Sequence, residues 1–206
     1  MWQKEGRKRS VAFKLKGRVV FFATNNIHKF NEARIILAKH GIAVGMLRVK
    51  ATEIQSDSLM EIAQVSAQDA FNRCHLPVIV EDAGLFIDAL NGFPGPYAAY
   101  TYRTIHNEGI LKLMENVENR KATFQSAIAY CDSSACVPVC FEGEAKGEIT
   151  SKERSESGKP GFGFDPIFQP SGSKKTFAEM TIEEKNGFSH RARAVQKFAE
   201  WYTKLR

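Results

Sequence analysis

Four polar clusters in this sequence carry residue types suited to phosphate chemistry. The first, Thr24-Asn25-Asn26-Ile27-His28-Lys29, separates a short apolar run from a helical pattern. Backbone N–H groups and the positive end of a helix dipole favour an anion at such a turn, and Lys29 adds a full charge. The G-x-x-x-x-G-K-[ST] spacing of a P-loop is absent, which argues against a standard kinase or P-loop NTPase. Taken alone, the segment reads equally well as a plain helix cap. The second cluster is acidic: Glu53 in Thr52-Glu53-Ile54-Gln55, and the pair Glu81-Asp82. Hard oxygen ligands of this kind suit Mg²⁺, which takes a few carboxylates and keeps its waters for substrate phosphates. Such an ion would neutralise a polyphosphate, and a carboxylate beside it would orient or deprotonate an attacking water. As isolated residues, these acids read as readily as solvated loop charges.

The third cluster is the glycine-rich run Gly158-Lys159-Pro160-Gly161-Phe162-Gly163-Phe164-Asp165-Pro166-Ile167-Phe168. A loop with aromatics and an acid can stack a flat ring and read its edge, although a structural turn has the same composition. The fourth is Lys185 followed by Ser189-His190-Arg191. His and Arg in a first helical turn run against the dipole preference for acids, a cost that facing an anion or a keto group would justify. The remaining histidines, His28, His40, His75 and His106, show no ligand spacing.

These clusters need elements to position them. Val19-Val20-Phe21-Phe22-Ala23 is a short, continuous, β-prone run of the kind that forms a buried strand. Phe30, Ala33 and Leu37 then fall on one helical face, and Gly41 supplies a stop. Residues 43–49 read as a second strand. Leu59, Ile62, Ala63 and Ala70 predict a helix ending near Cys74, before Pro77. Val78-Ile79-Val80 reads as a third strand, closing on Glu81-Asp82. Strand, helix, strand, helix, strand is the signature of an α/β layer. Asn91-Gly92-Phe93-Pro94-Gly95-Pro96-Tyr97 is a turn cluster that excludes helix and strand. A helix is predicted from about Asn107 to Val117. Thr123–Cys131 and Val137–Lys146 follow as antiparallel strands, making the sheet mixed. The last helix opens at the N-cap Ser189, with Ala194, Phe198, Trp201 and Leu205 at core spacing.

Composition narrows the class. The 206 residues are 43% hydrophobic and 25% charged, which fits a soluble globular chain with a sizeable core. No apolar run approaches the roughly 18 residues needed to span a bilayer, so no membrane partner is expected. The first residues, MWQKEGRKRS, lack the apolar region of a secretory signal. Cys74, Cys131, Cys136 and Cys140 form no C-x-x-C pair, so reduced thiols and a cytoplasmic location are expected. Net charge is +6, but residues 1–18 hold Lys4, Arg7, Lys8, Arg9, Lys14, Lys16 and Arg18 against Glu5 alone, leaving the remainder with 22 basic and 22 acidic residues. The excess lies in a short arm, so nucleic acid is not the expected partner. Residues 1–17 are expected to be a disordered basic extension, and residues 18–206 one domain.

In chain order, Thr24-x-Asn26-x-x-Lys29, Glu53-Ile54-Gln55, Glu81-Asp82-x-Gly84-Leu85, Gly92-Phe93-Pro94-Gly95, Phe162-Gly163-Phe164-Asp165-Pro166 and Ser189-His190-Arg191 resemble the inosine-triphosphate pyrophosphatase family, the Ham1-like enzymes of non-canonical purine nucleotides. The similarity runs from Val19 to Trp201. It implies an elongated α/β fold around a mixed sheet, two lobes with a central nucleotide cleft, a homodimer, a purine nucleoside triphosphate substrate (ITP, dITP or XTP) and Mg²⁺. On the family pattern, Thr24, Asn25, Asn26, Ile27, His28 and Lys29 hold the triphosphate. Glu53 and Asp82 hold the metal, and Asp82 activates water. Ala83 lies against the phosphates, Phe162, Gly163, Phe164 and Asp165 wrap base and sugar, and Lys185, His190 and Arg191 read the keto purine. Three positions depart from the pattern. Ala83 stands where Ser or Thr is usual, Asn25 where glycine is frequent, and Ser66 near the place of a helical lysine. Ala83 and Ser66 are expected to weaken phosphate binding or shift the metal optimum. Pyrophosphatases of other modified nucleotides, and a nucleotide-binding protein without turnover, share these features.

Overall fold

The computed structural model of the chain describes residues 18–135, 137–156 and 161–205. The expected basic extension at 1–17, the thiol of Cys136 and the Gly158-Lys159-Pro160 part of the glycine-rich loop lie outside the described residues.

The apolar run at the start forms β1 (Val19–Ala23), which pairs in parallel with β2 (Ala43–Leu47) on one edge and with β3 (Val78–Ile87) on the other. The connections are α1 (Ile27–Lys39) and α2 (Leu59–Cys74). Asn26 caps α1 through its side chain, and Gly41, at φ +66°, makes the turn beyond its end. Of the two long strands that continue the sheet, β5 (Lys121–Cys131) runs antiparallel to β3 and β6 (Val139–Ile149) antiparallel to β5, and β7 (Phe168–Pro170) closes that edge. The order is β2-β1-β3-β5-β6-β7. This is the mixed, helix-flanked α/β sheet that the alternation of patterns predicts, with a parallel and an antiparallel lobe sharing β3.

Three elements differ from the sequence reading. The third strand runs ten residues, so Glu81 and Asp82 lie in its middle and do not end it. The turn cluster contributes β4 (Pro94–Gly95), which pairs with Leu85 and Phe86 of β3, and its Phe93–Pro94 bond is cis. A Cβ on Gly84 would lie 2.6 Å from the Gly95 carbonyl oxygen, so the close approach of β4 requires glycine there. The next helix, α3 (Ala98–Leu113), starts nine residues before the expected Asn107 and ends before Val117. Asn107 begins only its second part, because His106 (φ 54°, ψ −166°) breaks the helical path. The short α4 (Ile182–Asn186) and α5 (His190–Tyr202) complete the chain, with Ser189 capping α5 as its sequence predicts.

Side chains alternate across β3, and this alternation allots the chemistry. Ile79 packs with Val20, Phe22, Leu37, Val195 and Phe198 in a core beneath α1 and α5, whereas Val78 and Val80 pack with Ala63, Ala67 and Ala70 of α2 on the other face. Glu81 therefore points towards α1 and α5, and Asp82 towards α2. A third apolar cluster, with Leu85, Ile87, Ile110, Phe164 and Phe177, fills the antiparallel lobe. α5 sits directly on β6. A Cβ on Gly143 would meet the His190 carbonyl oxygen and come within 2.6 Å of the Ala194 nitrogen.

Candidate active site

β1 pairs only with Val78 and Ile79 of β3, and β4 only with Leu85 and Phe86. Between them, one edge of β3 at residues 80–84 pairs with no strand among the described residues. The acidic pair therefore occupies a gap in the sheet, flanked by the turn after β1. An interrupted edge of this kind leaves room for a ligand that continuous pairing would exclude.

The turn Thr24 to Lys29 spends half of its backbone donors internally, and the Thr24 N–H donates to the Leu47 carbonyl at 3.1 Å. The Asn26 N–H donates to Thr24 Oγ1 (3.1 Å), and the His28 and Lys29 N–H groups donate to Asn26 Oδ1 (3.0 and 3.2 Å). Among the described residues, the N–H groups of Asn25 and Ile27 have no partner, and these two remain for an anion. Lys29 does not reach into solvent. Its ammonium pairs with Glu81 Oε2 at 2.8 Å and donates to the Glu81 carbonyl at 3.3 Å.

Glu81 is the hub of a buried ionic cluster. Its Oε1 accepts from Ser126 (2.8 Å) and from Arg191 Nε (3.1 Å). Arg191 Nη1 donates to Glu32 Oε2 at 2.5 Å, and Lys185 bridges Glu32 Oε1 (2.7 Å) and Asp165 Oδ2 (2.6 Å). Three cations, Lys29, Lys185 and Arg191, thus face three carboxylates, Glu32, Glu81 and Asp165, and the cluster is neutral. Burial raises the cost of each charge, but Arg191 and Lys185 hold Glu32 down at about 2, and Arg191 and Lys29 hold Glu81 well below the ordinary carboxylate range. Burial pushes Asp165 the other way, upward, against the pull of Lys185.

Asp82 lies on the opposite face of the strand, and its Oδ2 is buried without a hydrogen-bond partner. Burial first, and then the neighbouring charges of Glu81 and Glu53, raise it to about 6, with Lys29 pulling against them. A carboxyl poised there is ionised at neutral pH yet basic enough to take a proton. Glu53 projects from the segment between β2 and α2, where it lines a cavity of about 660 Å³ with Asn25, Lys50, Ala51, Thr52 and Arg73. Among the described residues no group of three or more His, Cys, Asp or Glu side chains is gathered into a metal cage. Glu53 and Asp82 as a sparse pair of hard donors, one with an orphaned oxygen, fit an ion that shares its coordination with substrate phosphates.

The predicted base-binding residues divide. Phe162 is half-buried and stacks on His28, ring centroids 5.1 Å apart, so it closes over the end of α1. Phe164 is only 4% exposed and packs edge-on to Tyr102 within the core. It anchors the loop and has no free face to offer a base, unlike the role its motif suggests. Gly163 (φ +54°) makes the intervening turn, and Asp165 is buried against Lys185. His190 stacks on Phe124 (4.7 Å, planes 8° apart), its Nδ1 has no partner, and burial with Arg191 nearby keeps the ring neutral, well below its usual range. Ile27 is exposed and touches none of this network, and Ala83 is half-buried in the sheet gap.

Glu32 and Ser126 are not singled out by the sequence, and Glu81, read there with Asp82 as a hard oxygen ligand, is the hub of the ionic cluster. Glu32 had a signal: a carboxylate beside Ala33, Ile36 and Leu37 on the buried face of α1 requires a compensating charge. Ser66, expected to be a weakened phosphate contact, is instead buried and donates to the Thr52 carbonyl at 2.8 Å.

Residues 20–201 match the model of the Ham1 family. A dITP/XTP pyrophosphatase of Methanopyrus kandleri is 54% identical over 183 residues, 89% of this chain and 95% of that protein. Another, from Methanothermobacter marburgensis, is 50% identical over 184 residues, 89% of this chain and 96% of that protein. Among solved structures, a HAM1 protein from Coxiella burnetii superposes with a TM-score of 0.77 at 27% identity, covering 91% of this chain and 100% of that one.

Proposed function

This chain belongs to the Ham1 family, and on that premise we propose that it hydrolyses the triphosphates of non-canonical purines, dITP, XTP and ITP, to the nucleoside monophosphate and pyrophosphate. The observation that carries the reading is the gap in the sheet at Glu81-Asp82, where a partly buried, proton-accepting carboxylate stands beside a phosphate-sized turn and a buried row of cations.

The triphosphate lies along the turn after β1, on the free N–H groups of Asn25 and Ile27 and near Lys29. Water adds to phosphorus while Asp82 takes its proton, the α–β anhydride bond breaks, and pyrophosphate leaves. Glu53 and Asp82 would hold Mg²⁺, which when bound draws charge from the phosphates and polarises the phosphorus. Phe162, with His28 behind it, offers a stacking face for the base. Lys185, His190 and Arg191 supply hydrogen-bond donors on the far side. A 6-keto purine meets these donors with an acceptor, whereas adenine brings an amino group. Each buried donor left unpaired costs about 1–3 kcal/mol, or roughly fivefold to more than a hundredfold in rate.

Pyrophosphate release from ITP, dITP, XTP, GTP and ATP, with and without Mg²⁺, tests this. Fast turnover of ITP, dITP and XTP against slow ATP is expected; equal rates for all five would remove the selectivity. We also propose a homodimer, supported by the exposed aromatics Phe93, Tyr97 and Tyr100 before and within the first turn of α3, and a cytoplasmic site of action on the nucleotide pool. No helix of the described residues is long and apolar enough to cross a membrane.

A further inference from the structure

The segment that carries Glu53 lacks support of its own. Residues 48–57 form no regular secondary structure, and among the described residues none of them takes part in a backbone–backbone hydrogen bond. Side chains of α2 supply what the backbone does not. The Thr52 N–H donates to Asp69 Oδ2 at 2.8 Å, the Thr52 hydroxyl donates to the same oxygen at 3.1 Å, and the Thr52 carbonyl accepts from the Ser66 hydroxyl at 2.8 Å. Both peptide groups of Thr52 are thereby fixed, and the second of them is the peptide that sets the Glu53 Cα. Ser66 and Asp69 stand three residues apart, on one face of the helix. Arg73, one turn further, donates Nε to Asp69 Oδ2 at 2.8 Å and holds the carboxylate in place. Ser66 is nearly fully buried, so its bond to Thr52 is shielded from competing water.

We propose that Asp69 and Ser66 are positioning residues of the reaction, a clamp from α2 on Thr52 that holds the Glu53 carboxylate opposite Asp82. The proposal rests on the reading that Glu53 and Asp82 together hold a divalent ion. A ligand on an untethered loop must be ordered each time the ion binds, and outer partners that hold a ligand in place are commonly worth 10–100-fold in metal affinity. Asp69 and Ser66 hold the segment at Thr52, so their effect on the ion runs through that residue.

The test uses the full chain with Asp69→Ala, Asp69→Asn and Ser66→Ala. Mn²⁺ affinity is read from the free-ion signal in electron paramagnetic resonance, with a non-hydrolysable imido analogue of ITP present, and beside it the Mg²⁺ concentration for half-maximal turnover. Asp69→Ala is expected to weaken Mn²⁺ binding about tenfold or more and to raise the Mg²⁺ requirement in parallel, with turnover largely recovered at saturating metal. Asp69→Asn keeps an oxygen for the Thr52 N–H and should restore part of the affinity. Ser66→Ala, which deletes one hydroxyl, gives a smaller loss and carries the test alone should Asp69→Ala not fold. Unchanged Mn²⁺ affinity in the folded variants, whatever their melting temperature, overturns the clamp. Wild-type turnover that proceeds equally in EDTA overturns the metal reading instead.

Discussion

Replacing Asp82 with Asn should stabilise the metal-free protein while abolishing most of its activity, and the two effects have one cause. Asp82 is raised from 3.8 to about 6, chiefly by burial and then by the carboxylates of Glu81 and Glu53, and its Oδ2 has no partner. That rise of about two units corresponds to about 3 kcal/mol of native-state penalty on the ionised form. The sign follows from linkage. Above pH 6 the group is ionised both folded and unfolded, and the folded protein bears the whole penalty. As pH falls towards 3.8 the folded form takes up its proton first and the penalty fades, to about half by pH 5. Asn carries no charge at any pH, but its amide still lacks a full set of partners, so about 2 kcal/mol is the expected gain at pH 8. For a chain of this length that is a rise in Tm of about 4–8 °C. Scanning calorimetry in EDTA at pH 8 and pH 5 measures it, and the gain should shrink at the lower pH. Turnover of ITP should fall at least about a hundredfold with nucleotide binding retained. A variant no more stable than wild type at pH 8 would refute the account of a strained carboxylate, and one that keeps full turnover would refute Asp82 as the base.

Glu32→Gln strips one anion from between Lys185 and Arg191 and should cost about 3 kcal/mol, read as a lower urea midpoint, because it leaves buried cations under-compensated. In wild type the Glu32 contribution is complete above pH 4.5 and is lost as pH falls through about 2, so the variant should show a shallower acid limb. His106→Gly should stabilise by about 1 kcal/mol in thermal melts, since φ 54° and ψ −166° suit glycine and little else. A loss of stability there would mean that the exposed imidazole contributes more through its edge contact with Tyr102 than the backbone costs.

Local signals carried the first half of the site and failed at the second. The turn Thr24 to Lys29 was legible because a continuous apolar run, a cap residue and a helical period all change within six residues. The length of β3 was not. Glu81-Asp82 interrupts an apolar run, and locally that is a strand ending. The strand continues because Lys29, Ser126 and Arg191, drawn from three distant parts of the chain, compensate Glu81. α3 was found only beyond His106 because its first half, Ala98 to Ile105, follows a Pro- and Gly-rich turn and mixes exposed Tyr100 with buried Thr101. Phe162 and Phe164 are equivalent as letters, and only packing separates the ring that is free from the ring that is core.

Gly143 lies on β6, paired with Ser126 of β5 on the face that α5 covers, and has no side chain to join the ionic network, yet that network depends on this lack. With α5 seated flush on the strand there, Arg191 arrives at the depth where Glu32 and Glu81 can share it. Even a methyl group would tilt the helix start outward and draw the guanidinium off both carboxylates. Sensitivity to mutation therefore extends to the strand beneath α5, where an inspection confined to the ionised side chains would not look for it.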